Sequence, residues 1–461
     1  MTVAAGLAAR VAANPDACAV SIDDRRWTAA GLAATVATAA GWLAPQLTGE
    51  PRRVAVCVAD PADQLLWALA AHRIGAAAAV LDVRWPPEQQ TAALEQISPG
   101  LIVRHPVASV APSGIAVRCT DAAAESLGWI SLTSGTTGAP RALGRSWASW
   151  TASFPAFTQL TGLTADDTVL VPGSLSSSMF AYGAFHALAA GARVRLLAGW
   201  QPESADDPEV TVAHLVPTML ADLLDAGRSD FRPRVVVTAG AKLSADLERR
   251  VRAAWPGTLI VEYYGSSEQS FVTARTGADP ATVGQPFPGV QVEVRDDTGH
   301  RAPAGGPGVI WTRSPYAAED YLDGAAGRFR QVGGWVSVGD RGWLDGTGAL
   351  SLLGREQITT GGTTVDPAPV ESVLRAAPGV RDVVVVGLPH PRLGEVVAAA
   401  VECRLDCRLS SLRLYARAHL AAAQRPRRWY AVAQLPRTGG GKPARADLVA
   451  AIQQGRLLPL S

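Results

Sequence analysis

Short apolar runs alternate with helix-like stretches along the first 265 residues. RRVAVCVA (52–59) and GLIVRH (100–105) have the length and composition of buried strands, and DQLLWALAAHRIGAAAAVLD (63–82) between them predicts a helix that leads into another strand. The same pattern returns further along the chain in ARVRLLAG (192–199), VAHLVPTMLADLLDAG (212–227), RVVVTAGA (234–241) and TLIVEYYG (258–265). Alternating strands and helices predict an α/β fold with largely parallel sheets, which bind ligands beyond the carboxyl ends of their strands.

The character of the chain changes after about residue 289. Short strands separated by Asp, Gly and Pro turns predict a β-rich subdomain, and helices and strands alternate again after Arg355. A chain of 461 residues is too long for one compact core. We therefore predict a large N-terminal domain of helix-flanked, parallel-rich sheets at residues 1–353, a hinge at 354–356 and a small α+β C-terminal domain at 357–461.

Composition excludes several classes of protein. Lys+Arg number 42 and Asp+Glu 41, so no basic excess favours nucleic acid as a partner. The N-terminus lacks the apolar region of a signal peptide, and no window reaches the roughly 18 apolar residues of a membrane span, so we expect a cytoplasmic protein. The five scattered cysteines predict reduced, buried thiols, and the CRLDC spacing of Cys403 and Cys407 is only a weak hint of metal binding.

The segment SLTSGTTGAPRALGRS (131–146) concentrates hydroxyls and glycines after a strand-like run. Glycines let the backbone approach an anion, and hydroxyls and N–H groups donate to phosphate oxygens. It is not the P-loop of kinases and GTPases, because Gly138 is followed by Ala139-Pro140-Arg141 and not by Lys. By itself the segment is either a phosphate cradle or a polar turn.

Five later segments decide between these alternatives: YYGSSEQ (263–269), VGQPFPGV (283–290), SVGDRGWLD (337–345), GREQITTGGTTVDPAPVE (354–371) and LPRTGGGKPAR (435–445). In this order and spacing the six segments, from residue 130 to 448, resemble the adenylate-forming superfamily of acyl- and aryl-CoA ligases, peptide-synthetase adenylation domains and luciferases. The pattern is most similar to stand-alone acyl- or aryl-CoA ligases. That family activates a carboxylic acid with ATP, releases pyrophosphate, and passes the acyl group from AMP to a thiol or another nucleophile.

The resemblance implies a role for each motif. Arg141 would add positive charge near pyrophosphate, Glu268 would hold Mg²⁺, and Lys442, on a mobile C-terminal domain, would bridge the carboxylate and the α-phosphate. Tyr264 would stack on adenine, and Ser267 would approach the phosphate or the acyl carbonyl. Further nucleotide contacts are implied for the phosphate loop Thr133, Ser134, Gly135, Thr136, Thr137 and Gly138, for Gly240 and Gly265 beside adenine, and for Asp340 and Arg355 at the ribose.

The chain departs from the family pattern at several positions. Arg141 stands where the family has Lys, which keeps the charge and adds a bidentate fork. Lys242 replaces the proline of the turn beside adenine. The segment after Arg355 is about two residues short, with Glu356 as a candidate hinge, so we expect restricted rotation towards the thiol-channel glycines Gly361 and Gly362.

The region that walls the acyl pocket in the family contains no acidic residue between 171 and 194. Peptide-synthetase domains place there an aspartate that pairs with the α-ammonium group, and this chain has Ser178. A buried ammonium without a counter-ion is costly, so a simple acid is favoured over an α-amino acid. We expect the pocket residues to be Ser177, Ser178, Phe180, Tyr263 and Phe271, and His186 and His214 to be structural.

The resemblance therefore predicts ATP-dependent activation of an aryl or medium-chain acid, with Mg²⁺, and transfer to CoA by a monomer or homodimer. Transfer to a carrier-protein phosphopantetheine, or to an amine as in an amide synthetase, is the alternative within the superfamily. A non-catalytic nucleotide-binding homologue is the alternative from another class.

Overall fold

The computed structural model describes most of the chain, in the residue ranges 2–111, 126–134, 140–227, 231–277, 279–296, 298–324, 329–354, 358–360, 363–365, 367–390, 393–404, 407–437 and 443–460. Within these ranges the α-helices are α1 Val3–Ala13, α2 Ala29–Leu43, α3 Pro61–Arg73, α4 Pro87–Ile97, α5 Trp147–Thr151, α6 Phe154–Thr161, α7 Ser178–Ala189, α8 Pro217–Asp225, α9 Ala245–Ala254, α10 Pro367–Arg375, α11 Leu409–His419 and α12 Arg445–Gln453.

The strands of the described residues are, in chain order, β1 Cys18–Ile22, β2 Arg25–Thr28, β3 Arg53–Val56, β4 Ala77–Val80, β5 Leu101–Val103, β6 Leu127–Ser134, β7 Pro140–Ser146, β8 Thr168–Val171, β9 Arg193–Leu196, β10 Val212–Leu215, β11 Val235–Thr238, β12 Leu259–Ser266, β13 Ser270–Arg275, β14 Gln285–Pro286, β15 Gln291–Arg295, β16 Gly308–Arg313, β17 Asp320–Tyr321, β18 Arg330–Val332, β19 Trp335–Ser337, β20 Arg341–Leu344, β21 Leu350–Gly354, β22 Ile358–Thr360, β23 Thr363–Val365, β24 Val380–His390, β25 Gly394–Cys403 and β26 Arg428–Val432.

The chain forms two compact units. Unit 1 contains the described residues of 1–292 and 312–338, and unit 2 contains those of 293–311 and 339–461. Unit 2 thus takes in residues 339–353, whereas the sequence places the domain boundary later, at 354–356. The hinge stays a prediction, because Arg355 and Glu356 lie outside the described residues.

The larger sheet of unit 1 has the strand order β14-β13-β12-β11-β10-β8-β9-β1-β2. The six strands from β12 to β1 in this order are parallel, and β2, β13 and β14 are antiparallel edges. Loops that follow parallel strands leave the sheet on one side. We call the side formed by the residues after β8, β10, β11 and β12 the carboxyl edge.

The second sheet of unit 1 has the order β17-β7-β6-β4-β3-β5. Strands β5, β3, β4 and β6 are parallel, and β7 and β17 are antiparallel. One hydrophobic core draws residues from both sheets and from helices α2, α3 and α7. Helix α3 is buried along residues 61–71, which is typical of a helix covered on all sides. The Asp60 carboxylate caps its N-terminus by accepting hydrogen bonds from the N–H groups of Ala62 and Asp63. The predicted parallel-rich α/β architecture is confirmed.

Unit 2 is a small α+β unit. Strands β20 and β21 form an antiparallel pair, and a separate sheet has the order β23-β22-β25-β24 with β26 parallel to β25. Apolar residues of α10 and α11 pack on one face of β24 and β25, and residues of α12 pack on the other face. A small sheet needs such cover on both faces because its strands are apolar on both sides.

The expectation of reduced thiols is wrong for Cys403 and Cys407, which form a disulfide in unit 2. Their Cα atoms lie 5.9 Å apart, and this distance is in the range that a disulfide bridges. Cys18 and Cys57 are free thiols, and burial raises the pKa of Cys57. Cys119 lies outside the described residues.

Among the described residues, no helix combines the length and the apolar character needed to cross a membrane.

Candidate active site

The end of the β6–β7 hairpin carries two of the predicted phosphate-side residues. Thr133 and Arg141 are direct cross-strand partners, and Ser134 pairs with Pro140. Directly opposed residues of an antiparallel pair project from the same face of the sheet. The two residues are therefore on one face at the mouth of the loop that joins the strands.

The guanidinium group of Arg141 contacts one aromatic and one acidic side chain. Its guanidinium carbon lies 3.6 Å from the centre of the Tyr321 ring, and its Nη2 lies 3.4 Å from Oδ1 of Asp323. Tyr321 reaches this position because β17 pairs with β7, which places Tyr321 opposite Leu143. A cation–π contact of this kind fixes the direction of the arginine while leaving its charge intact.

Glu268 is a buried carboxylate in the turn between β12 and β13, and its side chain has a specific donor. The Tyr321 hydroxyl donates to Glu268 Oε1 at 2.6 Å, and the Ala318 N–H donates to the main-chain oxygen of Glu268. Burial and the negative charge of Glu268 raise the pKa of Tyr321, against the opposing effects of Arg141 and Thr133, so the hydroxyl keeps its proton and remains a donor. Thr133, Arg141, Tyr321 and Glu268 thus form one connected group.

A chain of three hydroxyls connects strand β6, the start of helix α7 and the turn that follows β12. Ser178, the first residue of α7, donates to Ser131 Oγ of β6 at 3.1 Å, and its Oγ lies 3.1 Å from Ser267 Oγ. Ser177 precedes the helix and makes no side-chain cap, and the first turn of α7 has no acidic residue. The predicted pocket residue Ser178 and the predicted nucleotide residue Ser267 are therefore neighbours.

The predicted aromatic pocket residues pack in the core beside this hydroxyl chain. Phe180 and Phe271 are buried, and Phe271 stacks on Phe287 with ring centres 4.5 Å apart. Tyr263 is only partly buried and contacts Phe271 edge to face at 4.7 Å. Burial raises the pKa of the Tyr263 hydroxyl, so this side chain is a neutral phenol beside the aromatic core.

His186 and His214 lie inside the aromatic core. Burial lowers the pKa of His186 to about 3, with a smaller contribution from His214, and burial lowers the pKa of His214 to about 4. His186 Nε2 is 2.8 Å from the Thr158 hydroxyl, and the His214 ring packs against Gly183 of α7. Both are neutral imidazoles at neutral pH, which agrees with the structural role expected of them.

The predicted adenine-side residues lie on adjacent strand ends. Strands β11 and β12 are parallel with Thr238 opposite Glu262; Gly240 comes two residues after Thr238, beyond the end of β11, and Tyr264 comes two residues after Glu262, within the last part of β12. Gly240 has a φ of 88°, which favours glycine. Gly265 lies at a β-bulge where a Cβ atom would come within 1.9 Å of the Ser270 carbonyl oxygen, so glycine is required there for close approach.

Asp340, the predicted ribose acceptor, belongs to unit 2. It is buried immediately before β20, and its main-chain oxygen accepts from the Ile310 N–H at 2.8 Å.

Two family models match this chain, AMP-binding enzyme over residues 7–322 and AMP-binding enzyme C-terminal domain over residues 369–442. The chain belongs to the AMP-binding enzyme family. The resemblance to adenylate-forming enzymes that the six motifs indicated is thereby confirmed.

Known proteins similar to this AMP-binding enzyme match nearly all of it. The uncharacterized acyl–CoA ligase YhfT of Bacillus subtilis is 30% identical over 474 residues, covering 97% of each chain. The amide bond synthetase McbA from Marinactinospora thermotolerans is 27% identical with a TM-score of 0.84, covering 98% of this chain and 99% of that chain. O-succinylbenzoate Coenzyme A synthetase (MenE) of Bacillus subtilis, solved with ATP and magnesium ion, has the same fold at 23% identity, with a TM-score of 0.84 over 96% of this chain and 98% of that chain.

The donor set of this AMP-binding enzyme fits a magnesium ion shared with a nucleotide. Among the described residues, no group of three or more His, Cys, Asp or Glu side chains could hold a metal ion. Mg²⁺ is commonly held by one or two carboxylates together with substrate phosphates and water. Glu268, oriented by Tyr321, is a carboxylate of this kind.

Several predicted site residues lie outside the described residues: Gly135, Thr136, Thr137, Gly138, Arg355, Gly361, Gly362 and Lys442. Two residues that the sequence did not single out contact predicted site residues: Tyr321 contacts Glu268 and Arg141, and Ser131 contacts Ser178. Tyr321 stands in a segment without a recognised motif, although the nearby carboxyl groups of Glu319, Asp320 and Asp323 could have drawn attention to it. Ser131 lies within the phosphate-loop motif but two residues before its predicted contacts.

Proposed function

We propose that this AMP-binding enzyme activates a simple carboxylic acid with ATP to an acyl-adenylate and then transfers the acyl group to the thiol of CoA. The observation that carries the proposal is the connected group at the hairpin mouth, where Tyr321 orients Glu268 and supports Arg141 beside Thr133. A structural turn would not need a buried carboxylate aligned with a stacked guanidinium, because both groups lose hydration there.

In the adenylation step each group would have a separate task. The Thr133 hydroxyl and Arg141 would bind the β- and γ-phosphates, and Tyr264 and Gly240 would receive adenine at the carboxyl edge. A magnesium ion held by Glu268 would neutralise charge on the phosphates. From the resemblance, Asp340 and Arg355 would bind ribose, and Lys442 would bridge the acid's carboxylate and the α-phosphate.

The hydroxyl chain supports a simple acid over an α-amino acid. The first turn of α7 presents Ser178, whose neighbours are the hydroxyls of Ser131 and Ser267 and not a carboxylate. An α-ammonium there would lose its hydration without gaining a counter-ion. The partly exposed Tyr263 and the aromatic core beside it favour an aryl or medium-chain acyl group.

Similarity to an acyl–CoA ligase over 97% of the chain supports CoA as the acceptor. An amine is the second candidate, because the amide bond synthetase McbA matches 98% of this chain at 27% identity. A carrier-protein phosphopantetheine remains the third acceptor to test. The acceptor contacts predicted at Gly361 and Gly362 do not distinguish them.

The acid and the acceptor are tested in two assays. Acid-dependent ATP–pyrophosphate exchange across a panel of aryl, medium-chain and amino acids identifies the acid. The best acid is then incubated with ATP and with CoA, a holo-carrier protein or an amine in separate reactions, and the product mass is measured. We expect the product to be a CoA thioester. If an amide is the only product, the acceptor is the amine and not CoA. Pyrophosphate exchange that occurs only with amino acids would contradict the proposed class of acid.

A variant comparison tests the catalytic assignment against a non-catalytic homologue. Lys442→Ala and Glu268→Gln should each lower exchange by at least roughly 100-fold, a loss of about 2.7 kcal/mol or more of transition-state stabilisation. Glu371→Gln is the control, because Glu371 is an equally buried carboxylate that binds Arg445 and the Val385 N–H in unit 2. Exchange that is absent from the wild type, or unchanged in both site variants, would contradict the proposal.

A further inference from the structure

The turn of residues 239–243, which we call the adenine-side turn, connects β11 to α9. Its Gly240 comes two residues after Thr238, and Tyr264 comes two residues after Glu262, the register partner of Thr238 on the neighbouring parallel strand β12. Gly240 and Ala241 are exposed, whereas Leu243 is fully buried and anchors the end of the turn. The gap between Gly240 and Tyr264 therefore depends on what fixes this turn against β12.

A buried ion-pair network fixes one side of the turn. Glu262 Oε1 accepts from the Leu243 N–H at 2.7 Å, and Glu262 Oε2 accepts from Arg275 Nε at 2.5 Å. Arg275 Nη2 also donates to Glu248 of α9 at 2.7 Å, and Arg252 pairs with the other oxygen of Glu248. Glu262, Arg275 and Glu248 are all at least nine-tenths buried, so these charges interact with little screening by water.

Lys242 fixes the other side. Its ammonium group donates to the main-chain oxygen of Thr282, in the loop that precedes β14. The next residue of that loop is itself tied down, since the Thr273 hydroxyl of β13 donates to the Val283 oxygen at 2.7 Å. Lys242 stands where the family turn has a proline. Where proline would restrict the backbone of the turn, this chain has a lysine whose side chain hydrogen-bonds to a neighbouring loop.

We propose that Glu262, Arg275 and Lys242 are positioning residues for ATP, which set the width of the adenine cleft between Gly240 and Tyr264. They act through the turn and do not touch the nucleotide. The inference rests on the proposed function, because that proposal brings adenine to this edge. A contribution to folding stability alone explains these buried ion pairs poorly, because a buried ion pair is often no more stabilising than apolar residues of similar volume.

The test compares three variants with a control from the opposite edge of the same sheet. Glu262→Gln keeps an acceptor for the Leu243 N–H but loses the charge, Glu262→Ala loses both, and Lys242→Ala alters an exposed residue and leaves no buried charge unpaired. The control is Asp167→Asn. Asp167 is a similarly buried carboxylate that pairs with Arg234 and precedes β8, at the amino ends of the strands.

Each variant is assayed for kcat, for KM with ATP and with the acid, and for direct binding of MgATP by calorimetry. Lys242→Ala and Glu262→Ala should raise both KM and Kd for ATP by roughly 5- to 30-fold, the factor for one to two kcal/mol, with kcat and KM for the acid within about twofold. Glu262→Gln should recover part of that loss. Asp167→Asn should lose stability in urea without a change in ATP affinity.

Unchanged Kd for ATP in Lys242→Ala and Glu262→Ala would overturn the inference, as would an equal rise in Asp167→Asn. The two proposals fail separately. If the wild type binds MgATP but activates no acid, the proposed function fails, and the Kd comparison still decides whether these residues position the nucleotide.

Discussion

The Tyr321 hydroxyl offers the sharpest test of how the site is organised. Tyr321→Phe removes the donor to Glu268 Oε1 and keeps the ring on which Arg141 stacks. The variant therefore separates the orientation of the carboxylate from the support of the guanidinium.

The expected loss follows from the bond that is removed. A hydrogen bond to a charged group contributes roughly 1.5–3 kcal/mol, and a loss of this size lowers kcat/KM for MgATP by roughly 10- to 100-fold if it is expressed fully in the transition state. Because the carboxylate would be less well aligned for the metal, the Mg²⁺ concentration for half-maximal exchange should rise as well. Both quantities are measured by ATP–pyrophosphate exchange at varied ATP and varied Mg²⁺.

Tyr316→Phe is the matched control. Tyr316 is buried to nearly the same degree, at 6% exposed against 7% for Tyr321, and its hydroxyl donates to the Pro288 carbonyl at 2.9 Å. It should lose some stability in urea while keeping kcat/KM for MgATP within about twofold, because its partner lies outside the site.

A double-mutant cycle checks the mechanism. If the hydroxyl acts only through Glu268, Tyr321→Phe should have little further effect in a Glu268→Gln background. Wild-type kcat/KM in Tyr321→Phe, or an equal loss in Tyr316→Phe, would refute the reasoning.

Three further predictions follow from the contacts and the burial described above. Arg141→Ala should raise KM for ATP by roughly 10-fold or more, because a positive charge beside the phosphates is lost. Arg141→Lys should recover part of the lost ATP affinity. Wild-type exchange kinetics in Arg141→Ala would show that this residue is not part of the site. Ser178→Asp should lower exchange with simple acids, because a new carboxylate beside Ser267 repels the acid's carboxylate, and the acid panel would contradict this if rates were unchanged. Because burial lowers the pKa of His186 to about 3 and of His214 to about 4, the unfolded chain takes up protons below about pH 6.5 that the native core excludes. The free energy of unfolding should therefore fall from about pH 6.5 towards pH 4 by up to roughly 1.4 kcal/mol per pH unit for each histidine. His186→Gln should reduce this slope by about half, as measured by urea titrations at several pH values. An unchanged slope in His186→Gln would contradict the prediction.

The order and spacing of the motifs predicted the family and the fold without any coordinates. Apolar strands, helix periodicity and turn residues are local signals, and they predicted the parallel-rich sheets because each strand's burial is written into its own residues. The same local signals failed for Cys403 and Cys407, because whether two cysteines can bridge depends on the distance between their Cα atoms in the folded chain.

The sequence could name Arg141, Glu268 and Ser178, but it could not say what they contact. Tyr321 is 53 residues from Glu268 along the chain, and the pairing of β17 with β7 places it beside Glu268. Likewise Lys242 reads in sequence as a departure from a family turn, and its bond to Thr282 depends on how the loop before β14 lies against that turn.

The division between the two sources of information has a physical cause. Residue type and spacing fix which chemical groups are available and which local element carries them, so this chain's membership of the AMP-binding enzyme family was readable from sequence. Pairing between distant strands fixes which groups come within hydrogen-bond distance, a range of about 3 Å that no local pattern encodes. The tertiary structure alone therefore determined that Tyr321 orients Glu268 and that Glu262, Arg275 and Lys242 hold the turn beside Tyr264.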